Sequence, residues 1–202
     1  MNNATSFWGT AGTCPGNNAS PSTTATTCNG DGNGQILPNA ATSNEIFRFW
    51  QHLANAALIE GTYNGVANSA TTSSNITSIG SNVPRGRMSN SGWSLEYQGT
   101  YTIANTTLFE GNYGNVFYFG KQAGGWVTID PILKPEEAWN IDTKMDDGKP
   151  ATGSVVTRED SGAATTTSCS NMAASAVASL AASEYSVANT GVYCAFIFKN
   201  FM

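Results

Sequence analysis

Hydrophobic positions along this chain fall into two patterns, one with helical spacing and one that alternates along short runs. Between Thr42 and Gly61, Ile46, Trp50, Leu53 and Ala57 recur every three or four residues, widened by Phe47, Ala54 and Leu58. That period predicts a helix over 43–60 with an aromatic core face. Thr42-Ser-Asn-Glu45 opens it as a capping box and Gly61 closes it. Glu45, Arg48, His52 and Asn55 fall on the other side, so His52 is expected in solvent. A second helix is predicted from Pro135, where the missing N–H costs nothing and Glu136 and Glu137 suit the positive helix end. Its apolar stripe is Ala138, Ile141 and Met145, and Gly148 and Pro150 stop it.

Alternating and β-rich runs occupy most of the remainder. Trp93–Tyr97, Tyr101–Ile103, Asn115–Phe119, Trp126–Ile129, Gly153–Thr157 and Val192–Phe198 read as strands, with Gly124-Gly125 as a hairpin signal. Residues 1–42 read as a long loop held by Phe7 and Trp8, and residues 62–92 return to polar turns. Residues 158–191 form an alanine-rich excursion, with a short helix expected within 171–183. The fold class expected is α+β: one domain over 1–202, with an antiparallel sheet (93–157 and the closing strand) packed against one or more helices.

Composition narrows the function. Charged residues are only 11% of 202, and the formal net charge is −5, which argues against a nucleic-acid partner. No run approaches the roughly 18 apolar residues of a membrane span. Met1-Asn-Asn-Ala-Thr5 has neither the basic start nor the apolar core of a signal peptide, so a targeting segment is expected to have been removed. Four cysteines fall as two local pairs, Cys14 with Cys28 and Cys169 with Cys194. Three connectivities are open; neighbour pairing is the most economical, and it implies an oxidising compartment.

Asn29-Gly-Asp-Gly-Asn-Gly-Gln-Ile36 resembles the first half of an EF-hand calcium loop, with Asn29, Asp31 and Asn33 at alternate positions. The twelfth position is Ala40, so Glu45 is the candidate to complete the set. A glycine-rich turn with Asx hydrogen bonds accounts for the same residues. A calcium site here should be weak, and an Asp31→Ala variant should erase any loss of melting temperature on chelation.

Ala138–Gly153, reading AWNIDTKMDDGKPATG, closely resembles a segment near the C-terminus of bacterial type IV pilin-like proteins, including pilins and pseudopilins. Asn3–Gly9 and Asn44–Gly61 extend the match in the same order. The family's cleavage site and apolar N-terminal helix are not in this sequence. The resemblance implies an α+β head of a filament subunit, located in the periplasm or at the cell surface. Such a subunit is held in the inner membrane before assembly and partners other pilins or pseudopilins through the absent helix. It also implies a C-terminal disulfide bounding a surface loop over 158–202. The head alone is then expected to be monomeric.

No enzyme is expected. The one histidine is on a helix, and GxSxG, HExxH and P-loop patterns are absent. Glu96, Glu110, Asp130, Asp146 and Asp147 offer carboxylates for a hydrolytic pair, but Asp146-Asp147 before Gly148 reads better as cap and turn. Those two lie at the unfavourable negative end of the helix, which leaves room for Lys144, Lys149 or an ion. The alternative function is an extracellular adhesin module, with or without calcium, using Tyr63, Tyr113 and Tyr118 on carbohydrate.

Overall fold

The computed structural model describes residues 29–30, 32–39, 43–67, 77–102, 108–122, 125, 127–158, 167–172 and 180–200. Phe7, Trp8, Cys14, Cys28 and Asp31 lie outside the described residues. The chain divides into two compact units, residues 1–96 with 122–128 and residues 97–121 with 129–202. It is an α+β chain with an antiparallel sheet, helices and a disulfide.

In the first unit, strands β1 (Pro38–Asn39) and β2 (Ser43–Asn44) pair antiparallel and lead into helix α1 (Glu45–Asn55). The helix stops earlier than Gly61. Ala57 turns left-handed at φ 55°, its N–H donates to Ala54 O and the Leu58 N–H donates to Leu53 O, closing a Schellman motif. Leu58, expected on the core stripe, is therefore 69% exposed.

The polar side of α1 is the larger surprise. Arg48, Gln51 and His52 are all buried, so the expectation of a solvated His52 is corrected. Residues 64–67 lie over Arg48 and Gln51: Val66 and Ala67 are buried, and Gly65 is so close that a Cβ there would meet Gln51 Oε1 at 2.6 Å. Beneath it Arg48 Nη1 donates to Gln51 Oε1 (2.7 Å) and Gln51 Nε2 to the Asn64 backbone O (3.3 Å). Burial lowers the Arg48 pKa to about 10. Asn82, also buried, holds the next turn by donating to Val66 O and accepting from the Ser78 N–H. The Asn82–Arg87 stretch is thus an anchored loop.

Strand β3 (Ser91–Tyr101) runs from the first unit into the second, where β4 (Gly111–Lys121), β5 (Val155–Arg158) and β6 (Ala195–Phe198) complete a sheet ordered β3-β4-β6-β5. β6 pairs antiparallel with both neighbours, Phe119 opposite Phe196 on one side and Arg158 opposite Ala195 on the other. It is buried at every position, as befits an inner strand of continuous apolar sequence. The strand expected at Trp126–Ile129 does not form over its described residues, 127–129; the chain makes only an isolated bridge between Lys121 and Asp130. Of the helix expected within 171–183, residues 180–182 form a 3₁₀ turn, and 173–179 lie outside the described residues.

Helix α2 (Pro135–Met145) starts where its sequence predicts, with the Glu137 carboxylate accepting the Lys134 N–H at 2.9 Å. Its buried face differs from the apolar stripe. Pro135, Ala138 and Asp142 are buried, while Met145 is 59% and Trp139 43% exposed. The helix is turned so that a carboxylate, not Met145, faces inward, which needs hydrogen-bond partners for that carboxylate.

Candidate functional site

The end of α2 gathers three carboxylates. Asp142 and Asp146 are one turn apart on the helix face, and the turn into Gly148 adds Asp147. One oxygen of each lies within 4.8 Å of the others. Each is organised by the protein itself. Asp142 accepts the Tyr185 hydroxyl at 2.7 Å and the Gly148 N–H at 3.3 Å. Asp146 Oδ2 accepts the Ser154 and Val155 N–H groups, at 2.5 and 3.0 Å. Asp147 accepts the Lys149 N–H at 2.8 Å and the Thr152 hydroxyl at 2.6 Å. Gly153 makes this possible: it sits at φ 70°, and a Cβ would fall 1.8 Å from Asp146 Oδ2.

The electrostatics are one-sided. Among the described residues, no lysine or arginine pairs with the three aspartates; Lys149 instead reaches Glu184 at 3.8 Å. Burial raises the Asp142 pKa to about 6; the Tyr185 and Gly148 hydrogen bonds oppose that, while Asp147 and Asp146 add to it. Burial also raises the Tyr185 hydroxyl, followed by the charge of Asp142. Lys199 feels Asp146 and Asp147 as favourable charges, although burial lowers its pKa overall. Three hard oxygen donors with no close ion pair among the described residues form a cluster capable of coordinating a metal ion.

Beside this cluster lies an open cleft of about 480 Å³, lined by Glu136, Trp139, Lys149, Glu184, Tyr185 and Val187. In the first unit a smaller pocket of about 230 Å³ is lined by Gly30, Ile36, Glu45, Phe49, His52 and Leu53. Of the calcium-loop candidates, the structure therefore brings Glu45 beside the loop that holds Asn29 and Asn33. Asn29 is exposed, and Asn33 Oδ1 accepts the Gln35 N–H at 2.7 Å, an Asx-type turn.

Cys169 and Cys194 form a disulfide, Cα to Cα 5.2 Å, next to the bridge that joins Cys194 to Leu133 just before α2. Tyr113 and Tyr118 are buried in the second unit's core, which corrects their candidacy for carbohydrate contact; the Tyr113 hydroxyl donates to Phe109 O. Tyr63 is half-buried, donating to Glu60 O. Sequence reasoning passed over Asp142 and Tyr185. The signal for Asp142 was its place one turn ahead of Asp146; nothing in the sequence pointed to Tyr185, 43 positions away.

Among the described residues no helix is long and apolar enough to cross a membrane. Comparison with protein-family models, curated proteins and solved structures returns no match.

Proposed function

We propose that this chain is the head of a type IV pilin or pseudopilin, a structural subunit of a bacterial pilus or secretion-type filament. The observation that carries the reading is the path of the chain from α2 to β6. The pilin-like stretch Ala138–Gly153 connects a helix to a sheet strand, and the C-terminal segment returns through the Cys169–Cys194 disulfide to the strand beside it. The resemblance to pilins implies an arrangement of this kind, with a C-terminal disulfide bounding a segment beside the sheet. In this reading the partners are other subunits, the work is done at or outside the inner membrane, and assembly runs through an apolar N-terminal helix.

The aspartate cluster is the proposed calcium site of this head. Asp142, Asp146 and Asp147 would hold the ion, and its charge would offset the carboxylates at the negative end of α2 and tie that end to the start of β5. Melting with and without chelator tests this. A loss that persists in Asp31→Ala but vanishes in Asp147→Asn supports calcium at the cluster. A loss erased by Asp31→Ala moves the ion to the 29–36 loop, and no loss in any form removes it.

The filament reading is tested by mass spectrometry of the native N-terminus from source cells. A methylated residue opening an apolar helix supports it; a chain starting at Met1 or behind an ordinary signal peptide sinks it.

A further inference from the structure

The cleft beside α2 has a chemistry of its own that filament assembly does not require. Glu136 and Trp139 are one turn apart on the exposed face of α2, so their side chains are neighbours. Among the described residues no ion pair reaches the Glu136 carboxylate, and Trp139 is 43% exposed. Glu184 and Lys149 form the other side, already paired at 3.8 Å. The lining groups thus leave one negative charge over. The inner wall is Tyr185, which is buried and held in place by donating to Asp142.

We propose that this cleft binds an arginine side chain presented by a partner protein. An exposed indole beside an unpaired carboxylate suits a planar, weakly hydrated cation, which stacks on the ring while its N–H groups fork to the acid. An ammonium is more strongly hydrated and lacks the flat face, so lysine should bind less well. The volume, about 480 Å³, leaves ample room for one such side chain together with the residues that flank it.

The test is a titration of the ¹⁵N-labelled chain with acetyl-Gly-Arg-Gly-amide, following the Trp139 indole N–H resonance. The same peptide with citrulline replaces the cation by a neutral group of the same shape, and one with lysine removes the planarity. We expect a saturable shift with the arginine peptide, binding at least fivefold weaker for lysine, and none for citrulline. Trp139→Ala, read on backbone resonances of Lys149 and Glu184, and Glu136→Gln, read on the indole, should each weaken binding at least fivefold. Both residues are exposed, and an unchanged melting temperature would show that the fold is intact. Equal binding of citrulline or lysine, a response to neutral oligosaccharides instead, binding unaffected by Trp139→Ala, or no saturable shift with arginine would each overturn the proposal. The outcome does not depend on the native N-terminus, so it stands or falls apart from the filament reading.

Discussion

Helices α1 and α2 have the same length and opposite habits. Each spans eleven residues. α1 buries its polar side as well as its aromatic one: Arg48, Gln51 and His52 are as hidden as Ile46 and Phe47. α2 hides a carboxylate and leaves Trp139 and Met145 in solvent. An amphipathic stripe states which face costs least to bury, but the covering segments decide which face is buried. Over α1 the cover is a return loop whose Gly65 permits backbone contact with Gln51. Over α2 it is Tyr185 and the turn through Gly148 and Gly153, which present N–H and O–H donors to carboxylates.

The sharpest way to break the contrast is at the covers. Gly153→Ala should cost about 3 kcal/mol or more, because a left-handed backbone and a displaced Asp146 carboxylate add together. Gly65→Ala should cost somewhat less, since Gln51 can shift. Urea melts of the two variants check the order, and a near-silent Gly153→Ala would remove the knot of hydrogen bonds as the reason α2 faces as it does.

Next in size is pH. The folded-state Asp142 pKa, about 6, lies above its ordinary 3.8. The folded state therefore binds the proton more tightly. The stabilisation it gains is fully present below pH 3.8 and is lost as pH rises through about 6, roughly 3 kcal/mol in all. Stability attributable to this group should rise on acidification from pH 7 to 5, and Asp142→Asn should flatten the slope. Thermal melts across that range check it, done in chelator because a bound cation would hold the carboxylate ionised.

Arg48→Ala should then cost about 2 kcal/mol through lost packing and an orphaned Gln51 amide oxygen, which is unusual for an arginine on the polar face of a helix. At the small end, Met145→Ala should stay within about 0.5 kcal/mol although it removes a residue from the apolar stripe. A large Met145 effect paired with a small Arg48 effect, in the same denaturant series, would restore the pattern that hydrophobic spacing alone implies.

What could be read from residues was local. Pro135 with Glu136 and Glu137 marked the start of α2, and the apolar run before residue 198 marked β6, because caps and runs act over a few positions. α1 ends ahead of Gly61 because Ala57, four residues earlier, already takes the left-handed conformation, a choice that sequence propensity disfavours. The burial of His52 and Asp142 was not legible at all. Each depends on segments distant along the chain, Gly30 and Ile36 lining the pocket beside His52 and Tyr185 bonding to Asp142. The Asp146–Asp147 conflict with the helix dipole was visible, but its resolution was not: backbone N–H groups of 149, 154 and 155 answer the carboxylates, and Lys149 turns to Glu184.

The sheet order has a consequence for biosynthesis. β6 follows every other described strand along the chain yet lies between β4 and β5, joining Phe119 to Phe196 and Arg158 to Ala195. As the polypeptide emerges, β4 and β5 have no shared neighbour until residues 195–198 arrive, and the ring closed by Cys194 has to wait as well. Both strands spend that interval with open hydrogen-bonding edges, the state in which chains stick to one another or meet a chaperone. A truncation that takes away the chain from Ala195 onward would therefore disconnect the sheet at its middle rather than trim its rim.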